Sequence, residues 1–244
     1  NSQRIEELFD NGIGFIGYFG HSSANTFEFN LSNPEIYTNT GKYPFFNVSG
    51  CSAGNYYNFD PTRVTGNLSL SEKYVLANQK GSIGFLADSH FGIPPFLNFY
   101  NTNFYTAFSK TLYGNSVGNQ IKNVIQGLGG NNPNLDYYTR IHLEEISLQG
   151  DPAVRMNSFA KPDYVIEEQL IKISPSIISV ADANFNLKVK MQNIGLANGD
   201  SIWVSVKRKL PNDTIRVLFD KLIPAIRFED SLEFTVPISP TSDK

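Results

Sequence analysis

Two stretches decide how this chain is read: Gly12-Ile13-Gly14-Phe15-Ile16-Gly17-Tyr18-Phe19-Gly20-His21-Ser22-Ser23 and Tyr43-Pro44-Phe45-Phe46-Asn47-Val48-Ser49-Gly50-Cys51-Ser52-Ala53-Gly54. Each holds a short apolar run of strand length bounded by Gly, Pro or Asn, so each predicts a buried strand. One run stops at His21 and the other at Cys51, the only cysteine of the chain. In open α/β sheets the site lies just outside the carboxyl ends of the strands. Neighbouring strands lie about 5 Å apart. If these two are parallel neighbours, an imidazole and a thiol face each other across one crevice.

That pair has a definite chemistry. A thiolate is a strong nucleophile, and a nearby imidazole both promotes its formation and later protonates the leaving group. Gly20 and Gly50 let a substrate backbone come close. The backbone N–H groups of Ser22 and Cys51 are candidates for an oxyanion hole. Taken singly, a cysteine is more often a small buried hydrophobe, and a lone histidine more often structural. The joint placement at two strand ends selects the catalytic reading.

These residues resemble the caspase-like cysteine peptidases (legumain, clostripain, caspases and gingipains). In that clan an apolar strand ends in His and a small residue, and a second apolar strand about thirty residues later ends in a small residue and Cys. Tyr18-Phe19-Gly20-His21-Ser22-Ser23, Gly50-Cys51-Ser52-Ala53-Gly54 with Phe59-Asp60, and Leu148-Gln149-Gly150-Asp151-Pro152 favour the gingipain branch. The pattern looks closest to the PorU-type sortases of type IX secretion. Ser22 departs from it, since gingipains carry Gly there, but its N–H survives the change. The resemblance covers Ile13 to Met156. It implies a caspase-like α/β fold, a three-layer αβα arrangement around a mostly parallel sheet, over residues 1–160. It further implies a Cys51–His21 dyad, a protein or peptide substrate, other secretion-system components as partners, and an extracellular or outer-membrane location on a bacterium. It implies no cofactor. In gingipains the residue that reads the substrate side chain comes largely from chain before the His strand, which is expected to be missing here along with any carboxylate orienting His21.

Composition sets outer bounds. The 244 residues suffice for one large or two modest domains with a full core. A 41% hydrophobic and 18% charged composition is globular. A net charge of −3 provides no footprint for nucleic acid or an anionic membrane. One cysteine excludes an internal disulfide and leaves the redox compartment open. There is no apolar run of transmembrane length. Asn1 to Glu7 is not a signal peptide and reads as the end of a helix, so the chain is expected to be a fragment.

Along the chain, Glu6 to Asn11 predicts a helix tail stopped by Gly12. Thr26 to Lys42 is a polar connection with at most one helical turn. Asn55 to Pro61 is aromatic; Tyr56 and Tyr57 either line a cleft or fold on their own neighbours. Ser69 or Ser71 caps a helix through Ala77, ended by Gly81. Ser82 to Ala87 predicts a third strand, ending at Asp88-Ser89-His90. Asp88 and His90 then become cleft-lining candidates, and His90 a competitor of His21 for the role of base. Three histidines and one cysteine are too dispersed for a zinc site. Helices are predicted over Phe96–Leu112, Ser116–Leu128 and Tyr137–Leu148, with His142 a surface or satisfied core residue.

From Lys161 the composition shifts. Residues 161–244 hold about half of the charged residues but only 2 of the 19 glycines. Period-two alternation appears at Phe185–Met191, Ile202–Lys207 and Leu232–Val236, which means antiparallel strands. An all-β immunoglobulin-like sandwich over 161–244 is expected. About five strands are countable where such folds have about seven, so the module is expected to be incomplete.

The leading expectation is a cysteine endopeptidase or sortase-like transpeptidase. The alternative is a catalytically silent surface, adhesion or secretion-processing scaffold, since fold alone does not confer function. A lyase or hydrolase of non-peptide substrates has no supporting motif. The chain as given is expected to show little peptide turnover because one wall of its cleft is missing.

Overall fold

A computed structural model describes residues 2–29, 31, 33–57, 68–129, 132–156, 159–179, 181–197 and 199–238. The chain divides into two compact units, Asn1–Ser158 and Phe159–Lys244.

The first unit is built on a four-stranded sheet. Strands β1 (Phe15–Phe19), β2 (Phe45–Ser49) and β3 (Gly84–Asp88) are parallel neighbours in that order. The fourth, β4 (Ile146–Gly150), runs antiparallel beside β3. β1 and β2 pair with no slip, Phe15 opposite Phe45 through Phe19 opposite Ser49. β2 and β3 are buried on both faces, as their near-continuous apolar sequences require.

Because side chains alternate, each strand feeds two cores. On one face Tyr18, Phe46, Val48, Phe85 and Ala87 pack against Phe9 of α1 (Ser2–Asn11) and Leu70 and Tyr74 of α2 (Leu70–Val75). Phe9 stacks on Tyr37 with ring centroids 3.8 Å apart, and Phe46 lies 5.0 Å from Phe85. On the other face Phe15, Phe45, Leu86 and Leu148 meet α3 (Pro94–Thr106), α4 (Val117–Gly127) and α5 (Tyr137–Glu145). Helices on both faces of a mostly parallel sheet make a three-layer α/β unit.

The helix starts follow local chemistry. The Ser69 and Asp136 side chains cap α2 and α5, the former in a capping box with Glu72, and the Ser116 hydroxyl accepts from the Asn119 amide. Gly12, directly after α1, has φ of +92°, a conformation costly for other residues. The second helix, expected to run through Ala77 to Gly81, stops at Val75 with Leu76 as its cap, and Gly81, at φ +82°, turns the chain between that helix and β3. The predicted helix over Phe96–Leu112 is α3 continued by a single π turn at Ala107–Thr111.

One expectation is corrected. The helix predicted over Tyr137–Leu148 stops at Glu145, and Ile146–Gly150 is a strand. Ile146 and Leu148 alternate with Ser147 and Gln149. That period of two lay hidden behind an uninterrupted helical pattern with no Gly or Pro between. Pairing along β3 supplies the backbone bonds that make the strand the better state.

The second unit is built from strands β5 (Tyr164–Val165), β6 (Ile171–Ser174), β7 (Asn184–Asn193), β8 (Ser201–Lys209), β9 (Ile215–Pro224) and β10 (Glu229–Pro237). β7 pairs antiparallel with β10, β5 and β6, while β8 and β9 form a separate hairpin with an irregularity at Val206/Lys207. Val189, Met191 and Ile226 are its buried centre, joined by Ile202, Val204 and Phe234. A single 3₁₀ turn, Glu168–Leu170, is its only helical element among the described residues.

Phe46 is fully buried among Phe9, Tyr74 and Phe85. Phe46→Ala is expected to destabilise the protein by about 3–5 kcal/mol, whereas Phe29→Ala, at an exposed ring, should cost less than 1 kcal/mol. Urea unfolding of both variants checks the contrast.

Candidate functional site

The parallel strands β1, β2 and β3 end on one edge of the sheet, and the loops that leave them are stitched together. The ladder continues past β1, with the Gly20 amide donating to the Ser49 carbonyl at 3.1 Å. The Ser22 hydroxyl then donates to the Cys51 carbonyl at 2.9 Å. On the far side, the Ser52 amide donates to the His90 carbonyl at 2.7 Å and the Gly54 amide to the Asp88 carbonyl at 2.8 Å. His21, Cys51, Asp88 and His90 therefore sit on consecutive strand ends in the order their sequence motifs predict.

Close packing explains the glycines. A Cβ at Gly50 would fall 2.3 Å from the Ser22 hydroxyl and 2.6 Å from the Gly20 carbonyl. Only glycine lets the two loops cross this tightly. Ser52, directly after Cys51, has φ of +58°, an uncommon backbone state for a residue with a side chain.

His21 is exposed and Cys51 half-buried. The Tyr18 hydroxyl donates to the His21 carbonyl and so holds the loop from below. Ser22 forms an isolated antiparallel bridge with Phe27, in which the Ser23 amide donates to the Thr26 carbonyl. Among the described residues no hydrogen bond occupies the backbone N–H of Ser22 or of Cys51.

The remaining candidates separate. His90 is exposed, with its ring edge-on to Phe91. Tyr56 and Tyr57 pair with each other, hydroxyl to hydroxyl at 2.7 Å, and Tyr57 is exposed. Phe59 and Asp60 lie outside the described residues. Asp88 departs from its expected place, because its carboxyl is 0% exposed and lies beneath the edge instead of lining an open crevice. As the last residue of β3 it shares the face of Leu86, toward α3. His142 is a satisfied core residue: its Nε2 accepts from the Ile93 amide at 2.8 Å and its Nδ1 bonds the Tyr138 carbonyl at 2.7 Å. No group of three or more His, Cys, Asp or Glu among the described residues is arranged to hold a metal.

Below the edge lies a polar layer that sequence reasoning missed. Asn47 and Ser49 of β2 and Asn101 of α3 are buried. Asn101 donates to the Ser49 hydroxyl at 2.7 Å and accepts from Asn47 at 3.0 Å; Asn47 also donates to the Tyr105 hydroxyl at 3.2 Å. The signal was available: two polar residues at i and i+2 in a strand whose other residues are Phe45, Phe46 and Val48.

The family match falls on the first unit, whereas the similar solved structures extend over nearly the whole chain. The profile of peptidase family C25, the gingipain family, matches residues 1–157. This chain belongs to that family. Two solved structures share the fold at low identity. One is the complex of Porphyromonas gingivalis RgpB pro- and mature domains, with TM-score 0.51 and 13% identity over 97% of this chain and 50% of that one. Another, described as a protease, has TM-score 0.50 and 12% identity over 94% and 56%. A crystal structure of the Arg-specific cysteine proteinase gingipain R superposes less closely, at TM-score 0.47. The C25 chain thus spans about half the length of the solved structures it matches. No curated protein sequence matches it.

Burial carries an electrostatic consequence at Asp88. Loss of water, and secondarily the charge of Glu145, push its pKa up to about 8. The amides of Asp88 and Gly50 favour the charged form weakly, yet among the described residues neither carboxyl oxygen has a partner at ordinary hydrogen-bond geometry. Between the unfolded value of about 3.9 and 8, the folded state holds a proton that the unfolded chain has lost. Stability therefore falls as pH rises through that window. Asp88→Asn is expected to flatten the decline of the melting temperature between pH 5 and 8.5, which thermal scans across that range measure.

Proposed function

We propose that this chain carries the catalytic dyad of a cysteine peptidase, with Cys51 as nucleophile and His21 as acid–base. The observation that carries the proposal is the joining of the two strand ends: Gly20 to Ser49 and Ser22 to Cys51, with β1 and β2 in unbroken parallel register. Continuing the pleat of both strands by two residues puts His21 and Cys51 on neighbouring positions of one face.

In the proposed reaction the Cys51 sulfur attacks a peptide carbonyl carbon and forms a C–S bond. The N–H groups of Ser22 and Cys51, both without a backbone partner among the described residues, donate to the oxygen that becomes negative. Collapse breaks the C–N bond, and His21 passes its proton to the departing amine. Water or an incoming amine then resolves the thioester, so hydrolysis and sortase-like transfer share this machinery. Gly20 and Gly50 keep the approach free of side chains, and Tyr56, Tyr57 and His90 are the candidates for its walls.

Membership of the gingipain family supports a protein substrate and a site of action at the bacterial surface, with secretion-system components as partners. No described helix is long and apolar enough to cross a membrane. A PorU-like role would follow from the motif resemblance, with the all-β second unit as an immunoglobulin-like module.

With a single cysteine in the chain, alkylation by iodoacetamide reports on Cys51 alone. At pH 7 the folded protein should react at least tenfold faster than the urea-unfolded chain, and His21→Ala should abolish that difference. A folded protein that reacts no faster than the unfolded chain would instead support the scaffold reading.

A further inference from the structure

Ser49 is the junction of the candidate site. Its peptide leads into Gly50 and Cys51, and its carbonyl accepts the amide of Gly20, the residue before His21. Its buried hydroxyl accepts from Asn101 at 2.7 Å, and Asn101 is itself braced by Asn47, whose amide also reaches the Tyr105 hydroxyl. Asn101 and Tyr105 are four apart on α3, and Asn47 and Ser49 two apart on β2, so the four form a ladder between one helix and one strand. Room for it is made on β1: a Cβ at Gly17 would lie 2.8 Å from the Tyr105 hydroxyl.

An apolar core would serve packing here at least as well. Replacing both partners of a buried hydrogen bond by apolar groups of the same shape is often neutral or stabilising. What a satisfied buried network adds is a single geometry. We propose that the Asn101–Ser49 hydrogen bond is a positioning device that fixes the end of β2, and through it the spacing of His21 and Cys51. The proposal rests on the Cys51–His21 dyad and assigns Ser49 and Asn101 as positioning residues, since neither needs to touch substrate. Other charged or titratable groups near this loop, Asp88 beneath Gly50, Glu145 near Asp88 and His90 against Ser52, belong to β3, its following loop and α5 and are untouched by the change.

The test is a double-mutant cycle read by the iodoacetamide rate at pH 7. Ser49→Ala deletes one atom, and circular dichroism and melting establish that it folds. It should slow alkylation at least fivefold in the native background but less than twofold in His21→Ala, because its effect passes through the imidazole–thiol pairing. Ser49→Ala/Asn101→Leu removes both ends of the bond and should behave alike, which keeps the test open if the single variant is unstable. A folded variant that reacts at the native rate overturns the positioning role while leaving the dyad standing. Equal slowing in both backgrounds overturns it too, showing a merely structural effect. An unchanged rate in His21→Ala removes the dyad and the positioning role with it.

Discussion

The unbroken parallel pairing of β1 with β2 is the constraint on which the rest of the first unit depends. Phe19 lies opposite Ser49, and the next bond runs from Gly20 to Ser49, so whatever follows the two strands emerges side by side. A slip of one residue would turn every side chain of one strand to the other face. It would move Phe46 and Val48 out of the aromatic core shared with Phe9, Tyr74 and Phe85. The register is thus enforced by the packing of large rings on one face and of Phe15 and Phe45 on the other. The site inherits its alignment from the core.

Polar and apolar demands meet at the carboxyl edge. Most of the sheet is apolar on both faces, yet its last layer toward α3 holds Ser49, Asn101, Asn47 and Asp88. Three of these satisfy one another; Asp88 does not, and its carboxyl stays protonated at the cost of stability as pH rises. Natural proteins accept such costs where geometry or chemistry requires them. Here the polar layer lies directly under the loop that carries the thiol.

The two units follow different physical rules. In the first, parallel strands need crossover connections, and the chain returns to the same edge each time. A long loop with the 3₁₀ turn Pro34–Ile36 leads from β1 to β2, and the α2 segment leads from β2 to β3. In the second, strands alternate in polarity and pair antiparallel, β5, β6 and β10 with β7 and β8 with β9. Charged pairs such as Lys188–Glu233 and Lys190–Glu229 decorate its outer surface, where each adds little stability.

The amino-acid sequence by itself determined the strands ending at His21, Cys51 and Asp88, the helices that follow the second and third of them, and the change to period two after Lys161. These are local properties: strand-length apolar runs, N-cap side chains and Gly at positive φ act over a few residues. Family membership was legible for the same reason, because the two motifs sit on contiguous stretches. Tertiary structure alone decided the rest. Ile146–Gly150 is a strand because β3 offers it a partner, although its neighbours continue a helix. Asp88 is buried because the parity of β3 turns it toward α3, a direction fixed only when the sheet acquires its two layers. The Asn101–Ser49 bond joins residues 52 positions apart. No window along the chain contains both ends, and only the packing of α3 onto β2 brings them together.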